Sequence, residues 1–231
     1  MSHIILFRLW GELALWRSFE DPTGNFSCAG PAPSNIAGIC GAALGMVAPK
    51  NIASQRVEDK QNKSNLRWPV SQALLSWEQQ EDYHVGCSLE SPIRRIKYNV
   101  NGFKMSTGFD TLRSQQVVLH QPSYRVAVRL KTQAKAIELA EALKHPAFPI
   151  FLGASFCRGF VSEVCLTATL PATTPWASHT EAMGGLDSTP LSCHVLSGAP
   201  RIRRVGYWDY SRQRVDQSLV KGYVEPTQEN G

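Results

Sequence analysis

The 231-residue sequence has no C-x-x-C pair, although it holds six cysteines: Cys28, Cys40, Cys87, Cys157, Cys165 and Cys193. A zinc ribbon or a dithiol redox centre therefore has no support. Several of the cysteines sit in apolar runs, as buried free thiols do, and a reducing cytoplasm is their simplest setting. No apolar run approaches the roughly 20 residues that span a bilayer, so no membrane is expected as a partner. The stretch Met1–Trp16 is apolar but carries Arg8 and Glu12 and lacks the layout of a secretion signal. The patterns G-x-x-x-x-G-K-[ST], H-E-x-x-H and G-x-S-x-G are all missing, which removes the usual phosphate-loop, zinc-protease and nucleophile-elbow chemistries. Gly38, Gly41 and Gly45 repeat inside a helical pattern rather than at a strand-to-helix turn, so they are not a phosphate loop. Neither a metal nor another cofactor is expected, and the sequence has no convincing internal repeat.

What is present is an ordinary globular composition, 43% hydrophobic and 19% charged, with a net charge of +5. The length suits one good-sized core, or a main domain with a smaller appendage. The charge is uneven. Between Glu90 and Lys131 lie eight cations: Arg94, Arg95, Lys97, Lys104, Arg113, Arg125, Arg129 and Lys131. Only Glu90 and Asp110 oppose them, so this segment carries +6 and the remainder of the sequence −1. Arg201, Arg203, Arg204, Arg212, Arg214 and Lys221 form a second cluster against Asp209 and Asp216. Localised positive charge is the footprint of a phosphate-backbone binder; the same residues also suit solvated loops and strand faces.

Periodicity orders the elements. His3–Trp10 is rich in β-branched and aromatic residues and predicts a buried strand. Gly11 permits a bend or bulge, with strand resuming over Leu13–Ser18. Asp21–Pro33 holds Pro22, Gly24, Asn25, Gly30, Pro31 and Pro33 and predicts a loop. Ser34 is placed to cap a helix through Ile36, Ile39, Cys40, Ala43 and Leu44. Its three glycines each cost roughly 1 kcal/mol against alanine, which close packing on a sheet would offset. Pro49–Asn65 predicts irregular structure, and strand-like pieces follow at Val70–Leu75 and Tyr83–Leu89. Ile93–His120, with Asn99, Asn101, Gly102 and Gly108 at its middle, predicts a long projecting hairpin. Tyr124–Lys131 alternates as a strand, and Thr132–Lys144 is the clearest helix, with Ala136, Leu139, Ala140 and Leu143 on one face. Strands are expected at Ile150–Gly153 and Gly159–Leu170, a surface loop over Pro171–Asp187, and short strands within Ser188–Tyr223.

The expected class is α+β: a ferredoxin-like, RRM-like domain over residues 1–170 with the inserted hairpin at about 93–121, and a small β-rich region over 171–231. That fold hosts many functions and by itself argues little about activity.

Two blocks go further. Ile4–Gly45 resembles the opening of the CRISPR-associated RAMP-superfamily proteins that cap the 5′ handle of the guide RNA in type I Cascade complexes. The features shared are the aromatic–Arg pair Trp16–Arg17, the Pro33–Ser34 step, Gly38–Gly41, and Leu44–Gly45. The second block resembles the family's Pro-x-Tyr-Arg strand, at Pro122, Tyr124 and Arg125, and its Pro-x-x-Leu-Gly-x-Ser turn, at Pro149, Leu152, Gly153 and Ser155. The two blocks flank the basic segment and cover about two-fifths of the sequence; from Pro171 onward no motif is recognisable. The resemblance implies a non-catalytic subunit that binds crRNA, with the hairpin as a thumb at the junction of handle and spacer. It also implies a Cascade backbone subunit and large subunit as partners, and target DNA indirectly through the complex.

Single-stranded RNA is held by cations at phosphates, planar groups against bases, and backbone donors where the protein backbone bends. On the thumb these are Arg94, Arg95, Lys97, Lys104 and Arg113, with Tyr98, Phe103 and Met105 among them; packing against a neighbouring subunit is the other use for the apolar three. Ser34 and Asn35 start a helix whose free N–H groups suit a phosphate. Arg17 follows the first strand's bend, while Trp16 reads as core. Arg125 lies on the Pro-x-Tyr-Arg strand. Phe156 and Arg158 follow the turn at which Gly153 permits close backbone approach.

A branch of the same superfamily cuts repeat RNA without metal, using a tyrosine before the first helix and a Lys–His pair. Here the loop before Ser34 offers Phe26 and Cys28, and Lys144–His145 ends the second helix without matching that pair. His120 is the single candidate for a general base, against a structural role at a strand end.

Overall fold

The computed structural model describes residues 3–17, 26–46, 77, 80–104, 110–172, 174, 176–180, 191–195, 205–214 and 219–221. For 100–104, 110–114, 177–180, 191–195, 205–214 and 220–221 the description is of the backbone. The predicted irregular region Pro49–Asn65, the strand at Val70–Leu75 and Met105 lie outside the described residues.

The centre is β1 (His3–Gly11), whose alternation decides the layering. Ile5, Phe7 and Leu9 are wholly buried beneath two helices, while Ile4, Leu6, Arg8 and Trp10 point to the opposite face. A two-residue β2 (Leu13–Ala14) follows, then α1 (Pro33–Ala43) and β3 (His84–Leu89). β4 (Arg95–Lys104) and β5 (Asp110–His120) form a hairpin, then come β6 (Ser123–Leu130), α2 (Gln133–Lys144) and β7 (Gly159–Thr167). β8 (Trp176–Thr180), β9 (Leu191–Val195), β10 (Val205–Arg214) and β11 (Val220–Lys221) are the remaining elements. The main sheet has the order β11-β3-β6-β1-β7, and every pairing in it is antiparallel. α1 bridges β1 to β3 and α2 bridges β6 to β7, so two split β-α-β units interleave around β1 and β6.

The hairpin is inserted between β3 and β6 and belongs to a second sheet, β2-β5-β4. Residues Arg95 to Lys104 pair in unbroken register with Leu119 to Asp110. Gly11 is where the backbone passes from one sheet to the other. A Cβ there would stand 2.7 Å from both Arg158 O and Leu152 Cδ1, so the crossing needs glycine. Strand structure resumes only over Leu13–Ala14, shorter than the expected Leu13–Ser18, because Leu15 N–H turns to Leu152 O (2.9 Å).

Four further expectations need correction. Ser34 is not the helix cap: Ala32 is, with Pro33 at the first helical position and Asn35 Oδ1 accepting from Ala32 N–H at 2.8 Å. Gly38 owes nothing to sheet packing, since nothing stands within 4 Å of its Cβ position. Gly45, at φ +74, closes α1 instead: Met46 N–H reaches Gly41 O (2.9 Å) and Gly45 N–H reaches Ala42 O (3.3 Å), a Schellman stop. Ile150–Gly153 makes no strand but a tight reversal, closed by Leu152 N–H to Cys157 O (2.7 Å) and Gly159 N–H to Ile150 O (2.9 Å). The Pro171–Asp187 segment contains β8, because Trp176 (2% exposed) covers the second face of the main sheet beside Ile4, Leu6 and Ala127. β8, β10 and β9 form their own sheet, while β11 returns to the main sheet beside β3.

Among the described residues, no helix is long and apolar enough to cross a membrane and no His/Cys/Asp/Glu group is arranged to hold a metal. Cys40, Cys87 and Cys157 are buried free thiols, Cys28 is half-buried and Cys165 exposed.

Candidate nucleic-acid interface

Three pieces of backbone meet at the root of the hairpin. Phe26 bridges Val117 of β5, and Ser27 N–H donates to Val117 O at 2.9 Å. Arg17 bridges Ser27, and Cys28 N–H donates to Trp16 O at 2.8 Å. The Leu152–Gly153 reversal packs on Leu15 from the other side. Gly153 has φ +88, and a Cβ there would lie 2.0 Å from Leu15 O, so no other residue fits.

This arrangement brings several expected residues together. Tyr98 of β4 stacks on Phe156, with ring centroids 5.3 Å apart and planes within 8° of parallel. Both rings remain more than a third exposed. The Arg95 guanidinium sits 5.2 Å from the centroid of Phe26, itself an exposed ring. Arg94 and Lys97 are also exposed, Lys97 on the face of β4 opposite Tyr98, and Arg94 O accepts from His120 N–H at 2.8 Å. Arg17 is exposed, and its charge reaches the Cys157 thiol, which burial pushes up to about 11 against that pull. Further along the hairpin, Phe103 pairs with Thr111, Lys104 with Asp110, and Arg113 with Asn101 in backbone register; their side chains lie outside the described ones.

Trp16 is core. It is 2% exposed, and its Nε1–H donates to Tyr124 Oη at 3.1 Å, whose own O–H donates to Ala29 O at 2.9 Å. Burial pushes the Tyr124 phenol far above its ordinary range, with the Trp16 bond acting weakly the other way, so this hydroxyl is a fixed structural donor.

Of the other expected residues, Ser34, Asn35 and Arg125 are placed apart from this root, while His120 lies within it beside Arg94. Ser34 is exposed at the second position of α1 and Asn35 is occupied with the cap. Asn35 and Ile36 N–H both point to Ala32 O, and Pro33 has no N–H, so this terminus has few donors to offer a phosphate. Arg125 is not a free cation. It stands directly opposite Arg8 across β6–β1, a like-charge pairing that two carboxylates resolve. Glu90 accepts from Arg125 Nε at 2.8 Å and meets Arg8 Nε at 3.1 Å; Glu163 meets Arg125 Nη1 at 2.7 Å and Arg8 Nη1 at 3.7 Å. Ser123 Oγ joins the network, donating to Glu90 Oε2 at 2.9 Å. Burial lowers the Arg125 guanidinium's affinity for its proton, and the contacts with Glu163 and Glu90 outweigh that and raise it. Glu163 reaches both arginines through a bulge between Leu6 and Arg8 and a left-handed backbone, φ 55. His120 ends β5 opposite Leu13, half-buried, and its Nδ1 has no hydrogen-bond partner among the described residues. Lys144 and His145, which match no cleaving pair, end α2: Lys144 Nζ meets Glu141 at 2.7 Å in an exposed ion pair, and His145 backbone N–H donates to Glu141 O.

Sequence reasoning missed a second aromatic group. Trp10 and Phe160 lie opposite each other on β1 and β7, stacked at 4.9 Å, and Arg158 Cζ lies 5.9 Å from the Phe160 centroid. Both rings are about two-fifths exposed. The available signal was Trp10's place at the outward phase of the Ile4, Leu6, Arg8, Trp10 alternation.

What the fold and this surface define is a mixed α/β protein with antiparallel sheets and an exposed cationic, aromatic hairpin root. Residues 4–207 match the family described as CRISPR-associated protein (Cas_Cas5), and the protein belongs to that family. No match was found among curated proteins. Among solved structures, one described as "CRISPR RNA-guided surveillance complex" is similar at 15% identity and TM-score 0.51, covering 97% of this protein and 95% of that one. One described as "Crystal structure of Cas protein" covers 96% and 98% at 15% identity and TM-score 0.45. A CRISPR protein from Archaeoglobus fulgidus covers 94% and 89% at 11% identity and TM-score 0.38.

Proposed function

We propose that this protein is a non-catalytic crRNA-binding subunit of a type I Cascade effector, gripping the 5′ handle and capping one end of the backbone filament. The observation that carries the reading is the hairpin root. Arg95, Lys97 and Arg94 are exposed on it, and Tyr98 is held flat against Phe156. Exposed cations and exposed planar rings on one hairpin, with Arg95 directly over Phe26, are what a single strand needs, phosphates meeting the charges and bases the rings. In this reading the ferredoxin-like, RRM-like core spans residues 1–170, with β4–β5 as the thumb, and residues 171–231 form the small C-terminal region. The interleaved β-α-β units support the first part. The Cascade backbone and large subunits are the proposed neighbours, target DNA is met through the complex, and the setting is cytoplasmic.

The test is charge reversal at Arg94, Arg95 and Lys97. Affinity for repeat-derived single-stranded RNA should fall most at low salt, and the log–log salt slope should shrink by about two, roughly 0.7 per lost phosphate contact. Assembly of the complex should weaken in parallel. Unchanged assembly would remove the thumb assignment.

A repeat-RNA endoribonuclease is the competing reading, and His120 is its one foothold, with Nδ1 left without a partner among the described residues. Discrete cleavage of repeat RNA in EDTA, lost in His120→Ala, would establish it in place of the first.

A further inference from the structure

The segment from Phe156 to Phe160 alternates cleanly: Cys157 and Gly159 are buried, while Phe156, Arg158 and Phe160 are exposed. Each of the three exposed residues meets another planar group. Phe156 stacks on Tyr98, Arg158 lies over Phe160, and Phe160 stacks on Trp10. Phe156 lies in the turn that leads into β7 and Arg158 and Phe160 follow on its extended start, so the groups succeed one another from the turn onto the strand. The row starts at the thumb's root and ends on β7, the edge strand of the main sheet.

Its far end borders a cleft of about 330 Å³, lined by Lys144, Pro146, Phe148 and Pro149 on one side and by Arg158 and Phe160 on the other. Among the described residues, no carboxylate lines it. Lys144 is held by Glu141 in an exposed pair, with side chains 44% and 61% accessible, an interaction weak enough for a phosphate to replace. Glu90 and Glu163, acids further along the sheet, are occupied by Arg8 and Arg125.

From this row we infer that the protein carries a second nucleic-acid station beyond the thumb. A single-stranded RNA runs along Phe156–Phe160, one base stacks on the Trp10–Phe160 pair, and Arg158 and Lys144 receive its phosphate at the cleft. The inference rests on the RNA-binding reading above and extends its path from Phe156 and Arg158 to Trp10, Phe160 and Lys144, which that reading does not include. Stacking of this kind is tolerant of base identity, so the station would hold the strand without reading its sequence.

Fluorescence anisotropy of the purified full-length protein with fluorescein-labelled single-stranded repeat RNA tests it. Trp10→Ala and Phe160→Ala should each weaken binding about tenfold, and Trp10→Phe should keep most of the affinity. Arg158→Gln should lower the salt slope by about one, whereas Trp10→Ala should leave it unchanged. Should an alanine variant fail to fold, crosslinking of the wild-type protein to 4-thiouridine-substituted repeat RNA, with peptide mapping, should place adducts at Trp10 or within 156–160. If wild type binds RNA and the thumb triple variant does not, while Trp10→Ala and Phe160→Ala bind as wild type and no such adduct forms, the station is refuted and the thumb stands. Loss of co-purifying protein subunits in Trp10→Ala with RNA affinity intact would also refute it, in favour of a protein-docking surface. A wild-type protein with no RNA affinity would bring down both readings.

Discussion

Gly38 and Gly153 are the same residue type with opposite reasons for being there. Gly153 has φ +88 and no room for a methyl group, whose carbon would overlap Leu15 O at 2.0 Å. Gly153→Ala should therefore cost about 3 kcal/mol or more, seen as a large drop in the denaturation midpoint, and should loosen the reversal that holds Phe156 against Tyr98. Gly38 lies in the interior of α1, exposed, with open space at its Cβ position. Gly38→Ala should raise stability by about 1 kcal/mol and leave RNA affinity unchanged. A fall in stability would show that the Cβ position at Gly38 is not open. In the sequence the two glycines look equally like motif residues; backbone angle and free space separate them.

At the scale of elements, the hairpin root rests on a hydrogen-bonded link that joins β6 to the segment before α1. Tyr124 Oη accepts from Trp16 and donates to Ala29 O inside the core. Tyr124→Phe removes the hydroxyl and leaves two buried partners unsatisfied, which should cost about 2 to 4 kcal/mol in denaturant unfolding. The strand over Tyr124–Lys131 was legible from the alternation of Tyr124, Val126, Val128 and Leu130 with Arg125, Arg129 and Lys131. The fate of Arg125 was not legible. Its partners Glu90 and Glu163 come from β-strand neighbourhoods 35 residues before and 38 after it in sequence, and a bulge with left-handed backbone at Glu163 aims the second of them. No local pattern announces a bulge that serves a contact so distant.

For the whole molecule, the question is what covers the second face of the main sheet. Trp176 does, together with Leu170 and Leu219, on the apolar surface of Ile4, Leu6 and Ala127. Gly86 of β3 makes room, since a Cβ there would lie 2.7 Å from Leu219 and 3.2 Å from Trp176. Trp176→Ala should cost about 3 to 5 kcal/mol and make the segment after β7 the first site of limited proteolysis. The covered half of the face ends where Arg8 and Trp10 begin. That boundary leaves the Trp10–Phe160 stack open at the sheet edge.

Strand and helix identity over β1, β3, β6 and α2 was determined by the sequence itself, because alternation and 3.6-residue spacing are local consequences of which side chains must be buried. The hairpin's position was legible from its charge, but not its turn: Asn99, Asn101 and Gly102, expected there, lie within β4 opposite Gln115, Arg113 and Leu112. Tertiary structure alone decided the switch of sheet at Gly11, the burial of β8, the neutralisation of Arg125 and the pairing of Tyr98 with Phe156. Each depends on residues far apart in sequence meeting at one point, and the energy of such a meeting has no local signature. The cations a phosphate can reach were thus only partly readable in advance: charge is written in the sequence, but whether a carboxylate already holds it is a property of the fold.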